Sequence, residues 1–226
     1  PSTVVPPFRW VRSCALDSTG ASYFAGEPWP NSENDYGLIK LDADGNFEWG
    51  IDTHDGGSLA PYPCEFLHVD SFDNVYFVRH FRAGSVSRPI LYKMDSGGSE
   101  LWTMDFDYDT SPFTAWGMQQ GKKPFVDETD GWMYFKQSEV NYPSYNTEKI
   151  RRYSLDTGMK DPDYDPYVWP DITEIRIHKK SGDIIAVPTV LGSNLIRYDA
   201  DTGELRWVHD MSGGFAVSYN LDIWQD

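Results

Sequence analysis

The stretch DADTGELRW, residues 199–207, decides how the rest of the chain is read. A charged turn pinned by Gly203 leads into a short run that ends on Trp207. LDADGNFEW, residues 41–49, says nearly the same thing. A phrase written twice is the mark of a repeat, and periods of a few tens of residues point to solenoids or propellers. The phrase occurs four times: GLIKLDADGNFEWGID (37–52), ILYKMDSGGSELWTMD (90–105), KIRRYSLDTGMKDPD (149–163) and LIRYDADTGELRWVHD (195–210). In each, an apolar run meets a turn of Asp, Gly, Ser or Thr, and a second run follows. The third copy has Pro162 where the others have Trp49, Trp102 and Trp207. Upstream, PFRWVR (7–12) reads as the second half of the phrase alone, with Trp10 in the Trp slot.

A second phrase alternates with the first: CALDSTGASYFAG (14–26), FLHVDSFDNVYFV (66–78), PFVDETDGWMYFK (124–136) and EIRIHKKSGDIIAV (174–187). Alternation and β-branched or aromatic enrichment mark the flanking runs as strands, with Gly or Asn in the turns where positive φ is cheap. No stretch shows a helical period. Each unit is therefore two hairpins, four strands, and the Trp slots fall at 10, 49, 102, 162 and 207. This spacing predicts an all-β chain, a β-propeller of four-stranded antiparallel blades, with four complete blades plus partial strands at both ends. The blades are placed at about 13–52, 64–106, 123–163 and 173–210, with 7–12 as an outer strand and 215–226 as an inner strand of incomplete blades. A sandwich would not require two alternating hairpin wordings. The phase predicts part of a larger propeller of five or more blades; the alternative is that the two ends meet as a reduced fifth blade.

DADTGELRW resembles the repeat of the quinoprotein-type propellers, the group that includes pyrroloquinoline-quinone dehydrogenases and outer-membrane assembly lipoproteins. The match lies in Asp199, Thr202, Gly203 and Trp207; the copy ending at Trp49 matches more loosely. The resemblance implies that Trp10, Trp49, Trp102 and Trp207 pack neighbouring blades together. It specifies blade packing and not an activity, since many functions share the fold. It brings quinone-dependent oxidoreduction into view as the most distant of three functional readings. Family enzymes typically carry adjacent cysteines over the quinone, whereas Cys14 and Cys64 stand fifty positions apart; two buried free thiols are expected, with a single disulfide as the alternative. No cofactor is expected.

The 226 residues carry a formal net charge of −16, with no basic stripe, which argues against a nucleic-acid partner. No run approaches the ~18–20 apolar residues of a membrane-spanning helix, so no membrane insertion is expected. Nine Trp, 14 Tyr and 12 Phe suit pleated sheets and leave aromatics over for recognition. In an up-and-down blade the first and third connections emerge at one end and the others at the opposite end. The first set is short and polar; the second is long and rich in Pro and aromatics. Candidate contact residues on the long-loop end are Trp29, Tyr62, Phe81, Tyr108, Phe113, Trp116, Tyr142, Tyr145, Tyr164, Tyr167 and Trp169. The plainer alternative is that these rings fold back to cap the blades.

Asp105, Asp107 and Asp109, and Asp161, Asp163 and Asp165, alternate along the chain, so each trio has the placement of hard oxygen ligands for Ca²⁺. A solvated acidic rim explains them more simply. The five His are scattered, and no nucleophile motif is present. The expected function is therefore non-enzymatic: an interaction platform that binds other protein chains of a larger assembly. An extracellular or virion-surface setting is favoured over the cytoplasm. The alternative is a propeller that binds or hydrolyses a glycan through its aromatic loops.

Overall fold

The computed structural model describes residues 8–28, 36–52, 64–83, 86–106, 116–117, 124–140, 146–164, 167–168, 172–177, 183–188, 194–199, 202 and 204–210. All described regular structure is extended, and none of it is helical. The chain divides into two units, Pro1–Asp107 and Tyr108–Asp226.

The first unit holds two sheets. β1 (Phe8–Leu16), β2 (Ser22–Pro28), β3 (Tyr36–Leu41) and β4 (Phe47–Asp52) pair in chain order, as do β5 (Cys64–Val69), β6 (Val75–Ala83), β7 (Val86–Met94) and β8 (Glu100–Asp105). Every pairing is antiparallel. These are blades as expected, and β5 packs against β1 and β2 of the preceding sheet. Their shared core contains Tyr23, Ala25 and Leu38 from one sheet and Leu67, Val75 and Phe77 from the next. The period of two along β2 and β6 is what aims these side chains into one interface.

One expectation at the start of the chain is corrected. Residues 8–12 do not form the outer strand of a separate blade. They run without a break into β1, whose partner is β2 from Phe8↔Pro28 to Leu16↔Ser22. The segment 215–226 lies outside the described residues.

The second unit repeats the plan with modifications. β10 (Phe125–Asp127), β11 (Trp132–Val140), β12 (Asn146–Ser154) and β13 (Tyr167–Val168) form one sheet, and β9 (Trp116–Gly117) also pairs with β11. β9 and β10 lie against different stretches of β11, so the inner position of this blade is filled by two pieces. Its outer position is broken as well: a bridge joins Tyr153 to Lys160, and β13 begins only at Tyr167. Pro162 accounts for the break after the bridge, since it has no N–H for the ladder. β14 (Ile172–Ile177), β15 (Ile184–Pro188), β16 (Asn194–Tyr198) and β17 (Leu205–Asp210) complete the last sheet in order. Tyr134, Ile150, Tyr164, Ile184, Ile196 and Tyr198 form the core of this unit.

The short turns share one construction. In DSTGA the Asp17 amide donates to the Ala21 carbonyl at 3.1 Å and Gly20 N to Asp17 O at 3.2 Å. The Asp17 carboxylate meanwhile accepts from the Thr19 and Ala21 amides. Asp42, Asp70 and Asp95 accept in the same way from the amides two and four residues on. The fourth residue of each turn is left-handed: Gly20, Gly45 and Gly98 at φ of 86°, 82° and 86°, and Asp73 at 62°. A short polar side chain is among the few that accept this conformation. Asp73 also holds the neighbouring blade, accepting from Ser18 N at 2.8 Å and Ser18 Oγ at 2.6 Å.

Candidate functional site

Two constellations emerge from the described side chains. One recurs from blade to blade and is most deeply buried in the first; the other is exposed and occurs once among the described residues.

The repeated one lies where the third strand of a blade faces the fourth. Lys40 pairs in register with Trp49, Lys93 with Trp102 and Arg197 with Trp207. In each case the residue before the Trp is an extra one, because the register shifts at that step. Lys40 is 8% exposed. Its ammonium lies 3.0 Å from Glu48 Oε2, 3.7 Å from Asp17 Oδ2 and 3.0 Å from the Ser96 carbonyl of the next sheet, to which it donates. Trp49 Nε1 donates to the same carbonyl at 3.2 Å, and a Cβ on Gly98 would stand 3.1 Å from the indole. The turn DSGGS is thus a seat for the preceding blade's tryptophan.

Behind this joint, the Tyr23 hydroxyl donates to Asp17 Oδ2, and its ring meets Trp49 edge-on at 5.9 Å. Burial pushes the Tyr23 hydroxyl up to about 12. Burial lowers the Lys40 ammonium, but hydrogen bonds with Glu48 and Tyr23 outweigh it and hold the group above its ordinary range. The second blade repeats the arrangement at the same spacing: the Tyr76 hydroxyl donates to Asp70, Lys93 lies over the Tyr76 ring, and Trp102 meets that ring at 6.0 Å.

In the second unit the cation is arginine. Arg152 Nε donates to Asp161 Oδ2 at 2.7 Å, and its guanidinium lies over Trp132 and Tyr164. Tyr164 meets Tyr134 edge-on at 5.9 Å. Burial pushes the Asp161 carboxyl up, but Arg152 and the amides of Asp163 and Tyr164 prevail and hold it below the usual carboxylate range. In the last blade Arg197 is bonded to Asp183, and Arg206 to Asp199.

The exposed constellation is on β1. Between Phe8 and Trp10, and again between Val11 and Ser13, the register with β2 shifts by one residue. Arg9 and Arg12 are the extra residues of these two bulges. A regular strand sends alternate side chains to opposite faces, whereas a bulge re-aims them. Here Arg9 through Arg12 are four consecutive exposed residues. The Arg9 guanidinium lies 4.2 Å from the Trp10 ring centroid and that of Arg12 5.6 Å. Both pair with Glu27, at 3.1 and 3.6 Å. Gly26 makes this possible, since a Cβ there would stand 2.2 Å from the Trp10 carbonyl oxygen.

The sequence-derived candidates fall as follows. Trp29, Tyr62, Tyr108, Phe113, Tyr142, Tyr145, Trp169, Asp107, Asp109 and Asp165 lie outside the described residues. Phe81 is in β6, and Trp116 and Tyr167 pair as strand residues with Glu139 and Lys149 instead of standing in open loops. Tyr164 is corrected: it is 2% exposed, a core residue against Arg152, and not a contact on the surface. Trp10 is corrected too: it is 51% exposed, because the bulges turn it out of the blade. Trp49 meets the next blade, Trp102 meets Tyr76 of its own sheet, and Trp207 is 37% exposed. Asp161 is engaged by Arg152, while Asp105 and Asp163 are exposed. Among the described residues no group of three or more His, Cys, Asp or Glu is placed to hold a metal ion. No disulfide joins Cys14 to Cys64; Cys64 is buried as expected, and Cys14 is corrected, since it is exposed on β1.

Sequence reading passed over the cations. The signal was present: aligned copies carry Lys40, Lys93, Arg152 and Arg197 two positions before the Asp or Ser that opens the turn.

No family model matches the sequence, and no curated protein does. Among solved structures the chain is similar to the quinohemoprotein alcohol dehydrogenase from Comamonas testosteroni, at 11% identity and a TM-score of 0.53, over 88% of this chain and 35% of that one. It is also similar to a member of the duf4221 family from Bacteroides vulgatus, at 16% identity and a TM-score of 0.53, over 94% of this chain and 61% of that one. The chain thus spans less than two thirds of the length of either. At such identities the likeness is one of fold, and with the sheet topology it defines an all-β propeller of four-stranded antiparallel blades.

Proposed function

We propose that this propeller is a non-enzymatic interaction platform that binds other protein chains within a larger assembly. The observation that carries the reading is Phe72, which is 85% exposed at the apex of the β5–β6 turn. Asp70 closes that turn from within, and Asp73 ties it to Ser18 of the adjacent blade. A large ring on an immobilised backbone loses little freedom on binding, which is the property of an interface anchor. Leu16, in the same unit, is also exposed. The platform is therefore assigned to the short-turn end of the first unit and not to the long loops alone. The quinoprotein-type character of the repeats belongs to the same reading, supported by Trp49 seated on the DSGGS turn.

The test is the mass of the native protein, purified gently and measured by light scattering. A species well above 25.8 kDa that loses its partner at least tenfold in Phe72→Ala, with unchanged thermal unfolding, is expected. A 25.8 kDa species indifferent to the substitution would remove the proposal. A glycan-binding reading is second, favoured by the exposed Trp10 beside two arginines.

A further inference from the structure

We propose that Arg9, Trp10, Arg12 and Glu27 form a binding site for a single carboxylated sugar residue, such as a terminal uronic or sialic acid. The inference rests on the glycan-binding reading and is independent of the platform.

Three features of β1 carry it. The first is backbone design. A bulge at the level of Arg12 recurs close by in β5, at Phe66, and in β14, at Thr173, so it belongs to the blade. The bulge at Arg9 lies nearer the start of β1, at a level that the described parts of the other inner strands do not reach. Its effect is to bring a second guanidinium onto the same indole. Gly26 permits it, because any Cβ would collide with the Trp10 carbonyl.

The second feature is the chemistry so assembled. An indole half in the open presents a face to the C–H side of a pyranose ring, as aromatic rings at sugar sites do. Two guanidiniums offer planar, forked donors to a carboxylate. They share one carboxylate of the chain, Glu27, so the cluster keeps a local charge of +1. Glu27 orients both arginines and retains acceptor capacity for a sugar hydroxyl. Neither guanidinium is buried, so each can exchange water for a ligand without a large desolvation cost.

The third feature decides between occupants. An acidic peptide adding itself as a strand would need a regular ladder edge, and two bulges within five residues deny it one. A polyanion is opposed by the −16 charge of the chain. At physiological salt that field is screened beyond about 8 Å, so one carboxylate held at the cluster feels mainly the two arginines. A discrete monoanion with an apolar face satisfies both constraints.

The experiment is ligand-observed saturation-transfer NMR with calorimetric titration on the full chain. The probes are methyl glucuronide and sialyllactose, each beside its neutral counterpart, methyl glucoside and lactose. Expected is binding of at least one acid, at least tenfold weaker for its neutral counterpart. Affinity should drop at least tenfold in Trp10→Ala and in Arg9→Gln/Arg12→Gln, and be retained in Trp10→Phe. Raising salt from 50 to 500 mM should weaken it severalfold. Arg9, Trp10 and Arg12 are all exposed, so the variants should melt as the parent does. Equal binding of acid and neutral sugar, unmoved by Trp10→Ala, would overturn this site while leaving a glycan function elsewhere. No binding of any probe would end both readings. Displacement of the sugar acid by a hexaglutamate peptide at equal concentration would transfer the site to acidic protein segments and overturn the proposal.

Discussion

The first and third blades build the same joint from different residues. In the first, Lys40 and Trp49 meet the DSGGS turn of the following blade, with Tyr23 and Asp17 behind them. In the third, Pro162 stands in the Trp slot and the outer strand is interrupted. Arg152 takes the cation's place, Asp161 supplies the carboxylate, and Tyr164, two residues past the slot, supplies the ring. The comparison teaches that the joint requires a cation, a carboxylate and an aromatic ring over a tyrosine. The tryptophan is one way to meet that requirement. Proline withdraws an N–H and fixes φ, so the chain leaves the ladder and the ring returns from a different position.

Removing each ring is the strongest test of this equivalence. Tyr164→Ala empties a fully buried site and should cost about 3–5 kcal/mol, read as a lowered urea midpoint. Trp49→Ala, at a partly buried site, should cost about 2–3 kcal/mol by the same measurement. If Tyr164→Ala cost less than 1 kcal/mol, the third blade would not be held by this ring.

The cations should come next. Lys40→Met leaves Asp17 facing a methyl group, and about 1–2 kcal/mol is expected because Glu48 reaches solvent. Arg152→Met should behave alike if the joints are equivalent. A much larger loss there would show that the arginine's stacking on Trp132 and Tyr164 carries more than its charge.

Two glycines give a smaller and cleaner contrast. Gly45 and Gly98 share a left-handed φ, but a Cβ on Gly45 meets nothing within 4 Å and one on Gly98 meets the Trp49 indole at 3.1 Å. Gly45→Ala should cost about 1–2 kcal/mol for backbone conformation alone. Gly98→Ala should cost about 1 kcal/mol more for overpacking. In a Trp49→Ala background that excess should vanish; if it persists, the turn is not the tryptophan's seat.

The smallest effect per group is on pH dependence. For Asp17, burial raises the carboxyl, but bonds from Thr19, Ala21 and Tyr23 prevail and depress it, as Arg152 and its neighbours do for Asp161. The native state therefore binds fewer protons at these sites than the unfolded chain. Their stabilisation is full above the ordinary aspartate value of 3.8 and is lost as pH falls through the depressed values. Tyr23 is raised, so its contribution is full below 10.0 and is lost as pH rises toward about 12; Lys40 is raised as well, so its contribution is full below 10.5 and is lost above it. Thermal midpoints across pH should show a plateau with both shoulders. Asp17→Asn should flatten the acid one, and an unchanged profile would contradict the assignment.

Much of this architecture was legible in the residues. Alternation in SYFAG and NVYFV, and the Asp-to-Gly spacing of the turns, place strands and hairpins because both depend on neighbours within five positions. The candidate site was not legible in the same way. Trp10 reads as a packing residue in PFRWVR, and only the double register shift against β2 shows that it faces outward. Tyr164 reads as an open loop aromatic, and only its contact with Arg152 and Tyr134 makes it core.

Local order therefore settled the repeat, the strand count per blade, the turn chemistry and the cation two places before each turn, since short-range sterics and hydrogen bonds act through sequence neighbours. Tertiary structure alone decided which ring is buried and which is presented. That choice depends on register and on contacts between residues as distant as Trp49 and Ser96, or Ser18 and Asp73. A one-residue shift between strands moves a side chain from one face to the other, and no local pattern records where such a shift occurs.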